Sequence, residues 1–177
     1  MKNQLILLFI LLSILYSSKA LSQPAVGQAA PPFSDLKMIN NGSPKLANKF
    51  VFINFWTTLS APEVRSLSHI NTLAERFKSK VVFIAVSDEN EEQVRSFLQD
   101  KQWYNIYFGL DLDQTFHKNY SVKYIPYYYL ISPDKIILDA GNTYELMDYK
   151  LDSIITKNDS IRLIKSSKMI ASPKVSK

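Results

Sequence analysis

Residues 50–65 carry the strongest structural signal in this chain. They read Phe50-Val51-Phe52-Ile53-Asn54-Phe55-Trp56-Thr57-Thr58-Leu59-Ser60-Ala61-Pro62-Glu63-Val64-Arg65. The apolar first half is typical of a strand that is buried on both faces of a sheet. Ser60, Pro62 and Glu63 then form the pattern of a capping box, in which the serine oxygen accepts from an amide of the first turn and the glutamate reaches back to the Ser60 amide. The stretch therefore predicts a buried strand that leads directly into a helix.

The same alternation of strand and helix continues along the chain. Apolar side chains at spacings of three and four predict an amphipathic helix from Val64 to Phe77, and Val81–Val86 predicts a second buried strand. Further helices are predicted at residues 91–101, 113–120 and 144–157, and further strands at 34–39, 104–110, 124–131 and 136–138. This order predicts one α/β domain with helices packed on a central sheet.

Composition restricts the possible chemistry. The chain has 177 residues, 46% of them hydrophobic, which suits one globular domain. It contains no cysteine, so it cannot form a disulfide, use a thiolate nucleophile, or hold a cysteine-ligated cluster or zinc ion. The formal charge of +5 comes from the two ends, because residues 23–157 carry 14 basic and 15 acidic side chains. A nearly neutral body excludes nucleic acid as the expected partner.

The N-terminus has the pattern of a secretory signal peptide over residues 1–22. Lys2 precedes an apolar run from Leu5 to Tyr16, which is shorter than the roughly 20 residues of a spanning helix. Small residues predict cleavage after Ala20 or Ser22, so we expect a secreted or periplasmic protein without a membrane span after cleavage. The alternative is an uncleaved anchor.

The strand before Ser60 resembles a known family. The segment from Val51 to Thr58, which contains Trp56, is similar to the strand before the active site in secreted thioredoxin-like proteins of the TlpA-like, or redoxin, type. In that family the tryptophan is followed by Cys-x-x-Cys at the start of a long helix. Aligned on Trp56, the two cysteine positions fall on Ser60 and Glu63.

Two other segments extend the resemblance over residues 26–157. The family has a proline, usually cis, that opens the strand facing the motif, and Ile125-Pro126 looks like it. Val26–Phe33 is similar to the family's usual opening. The resemblance implies a thioredoxin fold, with a central mixed β-sheet, helices on both faces and an N-terminal strand extension.

The family's chemistry cannot be carried over with the fold. Thiol–disulfide exchange begins with attack by a thiolate, which neither Ser60 nor Glu63 can supply. The sequence therefore predicts no catalytic residue for this reaction and no cofactor. If the former active-site face persists as a binding groove, the resemblance places six residues there: Trp56, Ser60, Glu63, Ile125, Pro126 and Tyr127. The competing interpretation is structural, with Ser60 and Glu63 as a cap and Tyr127–Tyr129 in the core.

The two histidines offer no alternative site. His69 lies nine residues after Ser60 on the same predicted helix, about 13 Å along its axis, and cannot act as its base. His117 is expected on the surface of a short helix. Two histidines without clustered carboxylates predict no metal site.

The sequence thus predicts a lead-in at residues 23–32, a thioredoxin-like domain at 33–157 and a basic tail at 158–177 that docks and then frays. The expected function is a redox-inactive module that binds another envelope polypeptide. Two alternatives remain: an enzyme with non-thiol chemistry on the same scaffold, and a structural component of an envelope assembly that makes contact through its last helix or tail.

Overall fold

The computed structural model of the protein describes residues 23–33 and 36–171, with side chains as far as residue 167. The predicted signal segment at residues 1–22 lies outside the described residues. So do Ser34 and Asp35 of the first predicted strand, and residues 172–177 of the tail.

One mixed sheet forms the centre of the fold. Its strands are β1 (Lys37–Met38), β2 (Phe50–Phe55), β3 (Val81–Ser87), β4 (Ile106–Leu110), β5 (Tyr127–Ile131) and β6 (Ile137–Asn142). Their spatial order is β1-β4-β3-β2-β5-β6. The pairs β2–β3 and β3–β4 are parallel, whereas β1, β5 and β6 each pair antiparallel with their neighbours. The central position of β2 and β3 explains their nearly continuous apolar sequences.

Helices cover both faces of this sheet, as expected. They are α1 (Ala61–Phe77), α2 (Glu91–Leu98), α3 (Thr115–Asn119) and α4 (Asp148–Ala171), and a 3-10 turn at Thr143–Glu145 precedes α4. Apolar side chains of α1, α2 and α4 pack on one face, and α3 packs on the other. On the second face Ala30 of the lead-in and Phe33 pack against the apolar cluster, and Ala29 forms a bridge with Ile136.

Strand β2 contributes to both cores because successive side chains point to opposite faces. Phe50, Phe52 and Trp56 belong to the cluster under α1 and α4, and Ile53 and Phe55 belong to the cluster under α3. Tyr128 and Tyr129 are divided between the two clusters in the same way. Both tyrosines are therefore core residues, as the structural interpretation of Tyr127–Tyr129 predicted.

Several predicted boundaries were wrong. Helix α2 ends at Leu98 rather than Lys101, and β4 begins at Ile106 rather than Tyr104. Helix α3 is shorter than predicted because Gln114 has a positive φ of 58° and the helix begins only at Thr115. Strand β6 is longer than the predicted residues 136–138, because it pairs with β5 as far as Asn142.

The last helix differs most from the prediction. It begins at Asp148 rather than Tyr144 and continues past Lys157 to Ala171. Ion pairs dock this continuation to the body: Lys80 Nζ lies 2.7 Å from Asp159 Oδ2, and Arg162 Nε lies 3.4 Å from Asp134 Oδ2. The first part of the predicted tail is therefore helical and joined to the body by these two ion pairs, while most of its side chains are exposed.

Candidate functional site

The site predicted from the sequence lies at one end of the sheet. Phe55, the last residue of β2, pairs with Val86 of β3 on one side and with Tyr127 of β5 on the other. Because β5 runs antiparallel to β2, the chain before Tyr127 lies beside the chain after Phe55. The register thus brings Ile125-Pro126 next to the loop of residues 56–60.

The peptide bond between Ile125 and Pro126 is cis, as is usual in the family that the chain resembles. Within the described part of the chain, neither the amide nor the carbonyl of Ile125 makes a hydrogen bond. The side chain of Ile125 is partly exposed. A partly exposed residue with an unpaired backbone donor and acceptor therefore lies beside the loop.

Glu63 does not form the predicted capping box. Ser60 is the N-cap residue of α1, but its side chain caps no amide of the first turn. Glu63 Oε2 instead accepts a hydrogen bond of 2.8 Å from the Thr57 backbone amide. The carboxylate turns away from the Ser60 amide because the loop presents a donor of its own at Thr57.

The Glu63 carboxyl group is almost fully buried, with 4% of the residue exposed. Burial raises its pKa above the ordinary value of 4.5, and the nearby Glu89 charge acts in the same direction. The Thr57 amide and the Ser60 hydroxyl oppose this rise in pKa by hydrogen bonding to the ionised form. Burial is the largest of these effects, so the net change is upward.

A second carboxylate holds the next residue of the loop. Glu89 Oε2 accepts from the Thr58 amide at 2.7 Å, and Glu89 Oε1 accepts from the Thr58 hydroxyl at 2.7 Å. Ser87 and Gln93 donate to the same carboxylate. Two consecutive amides are thus fixed by two acidic side chains, one on α1 and one in the connection after β3.

The six residues of the predicted groove divide into two groups. Trp56, Glu63 and Pro126 are buried, so their side chains support the surface without forming it. Ser60, Ile125 and Tyr127 are partly exposed. These three side chains can contact a ligand, and their role in binding stays a prediction.

Sequence reasoning missed three residues of this region. Leu59 is 81% exposed at the tip of the loop, and Tyr124 is 53% exposed just before Ile125. Tyr124 also contacts the Tyr127 ring, with a centroid separation of 5.2 Å. Glu89 was overlooked because its only sequence signal was an acidic cluster before a helix, which is equally consistent with charge at a helix N-terminus.

His117 was wrongly expected at the surface. Its Nδ1 lies 2.6 Å from Asp111 Oδ2, and only 13% of its side chain is exposed. Asp111 also accepts from the amides of Phe116 and His117 at the start of α3, and the His117 ring packs on Phe55. The His117 ring is mostly buried because the buried Asp111 carboxylate, which accepts hydrogen bonds from the first amides of α3, also contacts the imidazole.

His69 is exposed on α1, with Nε2 3.2 Å from Asp148 Oδ1. In residues 23–33 and 36–171, no group of three or more histidine, aspartate and glutamate side chains could hold a metal ion. Across the same ranges, no helix is long and apolar enough to cross a membrane.

Known proteins are similar to this chain in sequence and in fold. A family profile described as Thioredoxin-like matches residues 48–137. The thioredoxin-like protein YneN of Bacillus subtilis is 28% identical over 137 residues, which cover 71% of this chain and 78% of that protein. The thiol-disulfide oxidoreductase ResA of Bacillus cereus is 30% identical over 120 residues, which cover 64% of this chain and 68% of that protein.

Solved structures agree on the fold. The crystal structure of the exposed lipoprotein thioredoxin Etrx1 from Streptococcus pneumoniae superposes with a TM-score of 0.57 at 14% identity. The match covers 63% of this chain and 87% of that one. The mixed sheet, the helices on both faces and the proline opening β5 are thus those of a thioredoxin fold. With the sequence matches, they show that this cysteine-free chain belongs to the thioredoxin-like family, whose relatives include thiol-disulfide oxidoreductases.

Proposed function

We propose that this protein is a redox-inactive binding module that holds an extended segment of another polypeptide at the surface beside Ile125. The chain contains no cysteine, and disulfide exchange requires a thiolate. The hydroxyl of Ser60 and the buried carboxyl group of Glu63 occupy the two positions where the family has cysteines. Neither group can attack or resolve a disulfide, so what persists is the binding surface.

The observation that carries this proposal is the unpaired backbone of Ile125. Its amide and carbonyl make no hydrogen bond in the described part of the chain, and an extended peptide can satisfy both groups as an added strand would. Leu59 and Tyr124, both largely exposed, lie in the two chain segments that meet here. Exposed apolar side chains next to free backbone groups suit a polypeptide better than a small polar ligand.

The carboxylates of Glu63 and Glu89 support this surface. They fix the amides of Thr57 and Thr58, so the loop that carries Leu59 is held at its base before a partner arrives. A surface that is already ordered loses less conformational entropy on binding. The loop of residues 56–60 is therefore ordered at its base before a partner binds.

The expected partner is a polypeptide of the cell envelope. This expectation rests on the signal-peptide pattern of residues 1–22. The structural relative from Streptococcus pneumoniae is described as an exposed lipoprotein, which agrees with an extracytoplasmic role.

Site-specific photocrosslinking tests this proposal. The full-length chain is expressed in its native host with a photoreactive phenylalanine analogue at Leu59, and the products are identified by mass spectrometry. A matched probe replaces Tyr149, which is 75% exposed on α4. We expect a specific product from position 59, its loss when Ser60→Arg is added, and no such product from position 149.

Three results would contradict the proposal. A product that forms equally from position 149 would favour contact through α4 and the assembly-component alternative. A product from position 59 that survives Ser60→Arg would show that the contact does not depend on the surface beside Ser60. Turnover of a substrate by the purified chain, unaffected by Ser60→Arg, would favour an enzyme with non-thiol chemistry.

A further inference from the structure

A groove lies near the surface beside Ile125 and differs from that surface in charge. The groove has a volume of about 430 Å³ and runs between the first half of α1 and the connection from β6 to α4. Arg65, Ser66 and His69 line one wall, and Thr143, Tyr144 and Leu146 line the other. Its size lies within the range of small-ligand sites, roughly 300–1,000 Å³.

The lining residues carry positive charge and no carboxylate. Arg65 makes no hydrogen bond or ion pair with any other described residue. His69 is instead engaged with Asp148, which also lies 3.6 Å from Arg76 Nη1. The Asp148 carboxylate is therefore shared between His69 and Arg76, and the Arg65 guanidinium remains available to an anion.

The opposite wall is fixed and largely apolar. The Thr143 hydroxyl donates a 2.6 Å hydrogen bond to the Asn54 side-chain oxygen, and both residues are buried. Tyr144, which is 48% exposed, and Leu146, which is buried, both line the groove. A methylene chain that ends in a carboxylate would place its apolar part against this wall and its charge at Arg65.

The groove borders the first turn of α1, which directly follows the loop beside Ile125. Tyr127 pairs with Asn142 as well as with Phe55, so the turn that begins at Thr143 lies on the far side of β5 from the loop. Pro62, in the first turn of α1, lines the groove two residues after Ser60. A polypeptide held at Ile125 can therefore place a neighbouring side chain in the groove.

We propose that this groove selects partners by binding an aspartate or glutamate side chain through Arg65. The inference rests on the proposed function, because it specifies which segments the surface at Ile125 accepts. A guanidinium can donate two parallel hydrogen bonds to one carboxylate, which an amide of the same shape cannot match in strength.

The test measures binding of soluble peptide pools to the purified full-length chain by fluorescence anisotropy. Each pool consists of fluorescently labelled, cysteine-free, extended peptides that share one fixed residue type: acidic, amide or basic. We expect the acidic pools to bind roughly fivefold more tightly than the amide pools, the upper range for a partly exposed ion pair. Arg65→Gln should remove this preference, and Arg65→Glu should reverse it in favour of basic pools.

Lys45→Glu provides the matched control. It makes the same change in net charge at an exposed residue before the opposite, amino end of β2, and it should preserve the acidic preference. Far-ultraviolet circular dichroism checks that the Arg65 variants fold.

The outcomes separate this inference from the proposed function. Equal binding of acidic and amide pools, or a preference that persists in Arg65→Glu, would overturn the inference while peptide binding itself stands. An equal effect of Lys45→Glu would also overturn it, because net charge would then explain the preference. Failure of every pool to bind would overturn the proposed function and the inference with it.

Discussion

Glu63 and Thr57 are joined by a 2.8 Å hydrogen bond from the Thr57 amide to the Glu63 carboxylate. A nearly fully buried acidic side chain in the first turn of α1 thus holds the loop that leads into this helix. This relationship gives Glu63 a measurable effect on stability.

Glu63→Gln should reduce the change of the free energy of unfolding with pH above pH 4.5. Burial raises the Glu63 pKa above its ordinary value of 4.5, so the folded state binds the proton more tightly than the unfolded state does. The free energy of unfolding contributed by this group therefore falls as pH rises from 4.5 through the raised pKa. Urea denaturation across this range should show a flatter profile for Glu63→Gln, which keeps an acceptor for Thr57. Glu92→Gln, at an exposed residue, is the control, and an unchanged profile for Glu63→Gln would contradict the assignment.

Restoring both cysteines should restore disulfide formation. Ser60 is the N-cap of α1 and Glu63 lies in its first turn, so Ser60→Cys with Glu63→Cys recreates the family's motif at a helix N-terminus, which lowers a thiol pKa. We expect the two thiols to pair on oxidation and the variant to reduce insulin disulfides. Ser60→Cys alone should do neither. A folded double variant with two persistently free thiols would contradict the alignment on Trp56.

Asp111→Ala should destabilise the fold by about 2–4 kcal/mol, because it leaves buried donors unsatisfied. Asp111 accepts from the amides of Phe116 and His117 and contacts the His117 ring. Asp113→Ala is the matched control, since this exposed carboxylate accepts from the amide and hydroxyl of Thr115 and its loss should cost about 1 kcal/mol. Chemical denaturation measures both values, and equal losses would show that the Asp111 contacts add nothing.

Alkaline titration should reveal tyrosines that ionise late. Burial raises the pKa of Tyr128 to about 12, and its hydrogen bond to Asp139 acts in the same direction. The folded state thus favours the neutral phenol, and stability should be lost as pH rises from 10 towards 12. Ultraviolet absorbance should show a late transition that shrinks in Tyr128→Phe but not in Tyr104→Phe, at an exposed ring. Uniform ionisation near pH 10 would contradict the burial of Tyr128.

The elements with strong local patterns were predictable. The buried strands β2 and β3 follow from their continuous apolar runs. The helix α1 follows from apolar residues at spacings of three and four, which define the face that it buries. Element ends were less predictable. The start of β5 at Tyr127 and the start of α4 at Asp148 depend on pairing with other strands and on the 3-10 turn before α4.

The proximity of the two candidate segments was predictable, but their side-chain contacts were not. The sequence pointed to Ser60, Glu63 and Ile125-Pro126 through a family resemblance, and the strand register brings these segments together. It did not reveal that Glu63 turns to Thr57 or that His117 turns to Asp111. Those contacts depend on which buried donors remain unpaired once the backbone has folded.

The sequence by itself determined that the chain has an α/β core and that thiol chemistry is excluded, because apolar periodicity and the absence of cysteine are properties of the chain alone. Only the tertiary structure decided which side chains form the surface. Leu59 and Tyr124 became exposed, Trp56 and Glu63 became buried, and Arg65 came to face Tyr144 across a groove. The exposure of these side chains and the groove depend on contacts between residues that are distant in sequence. They are therefore set by strand register and helix packing rather than by local sequence pattern.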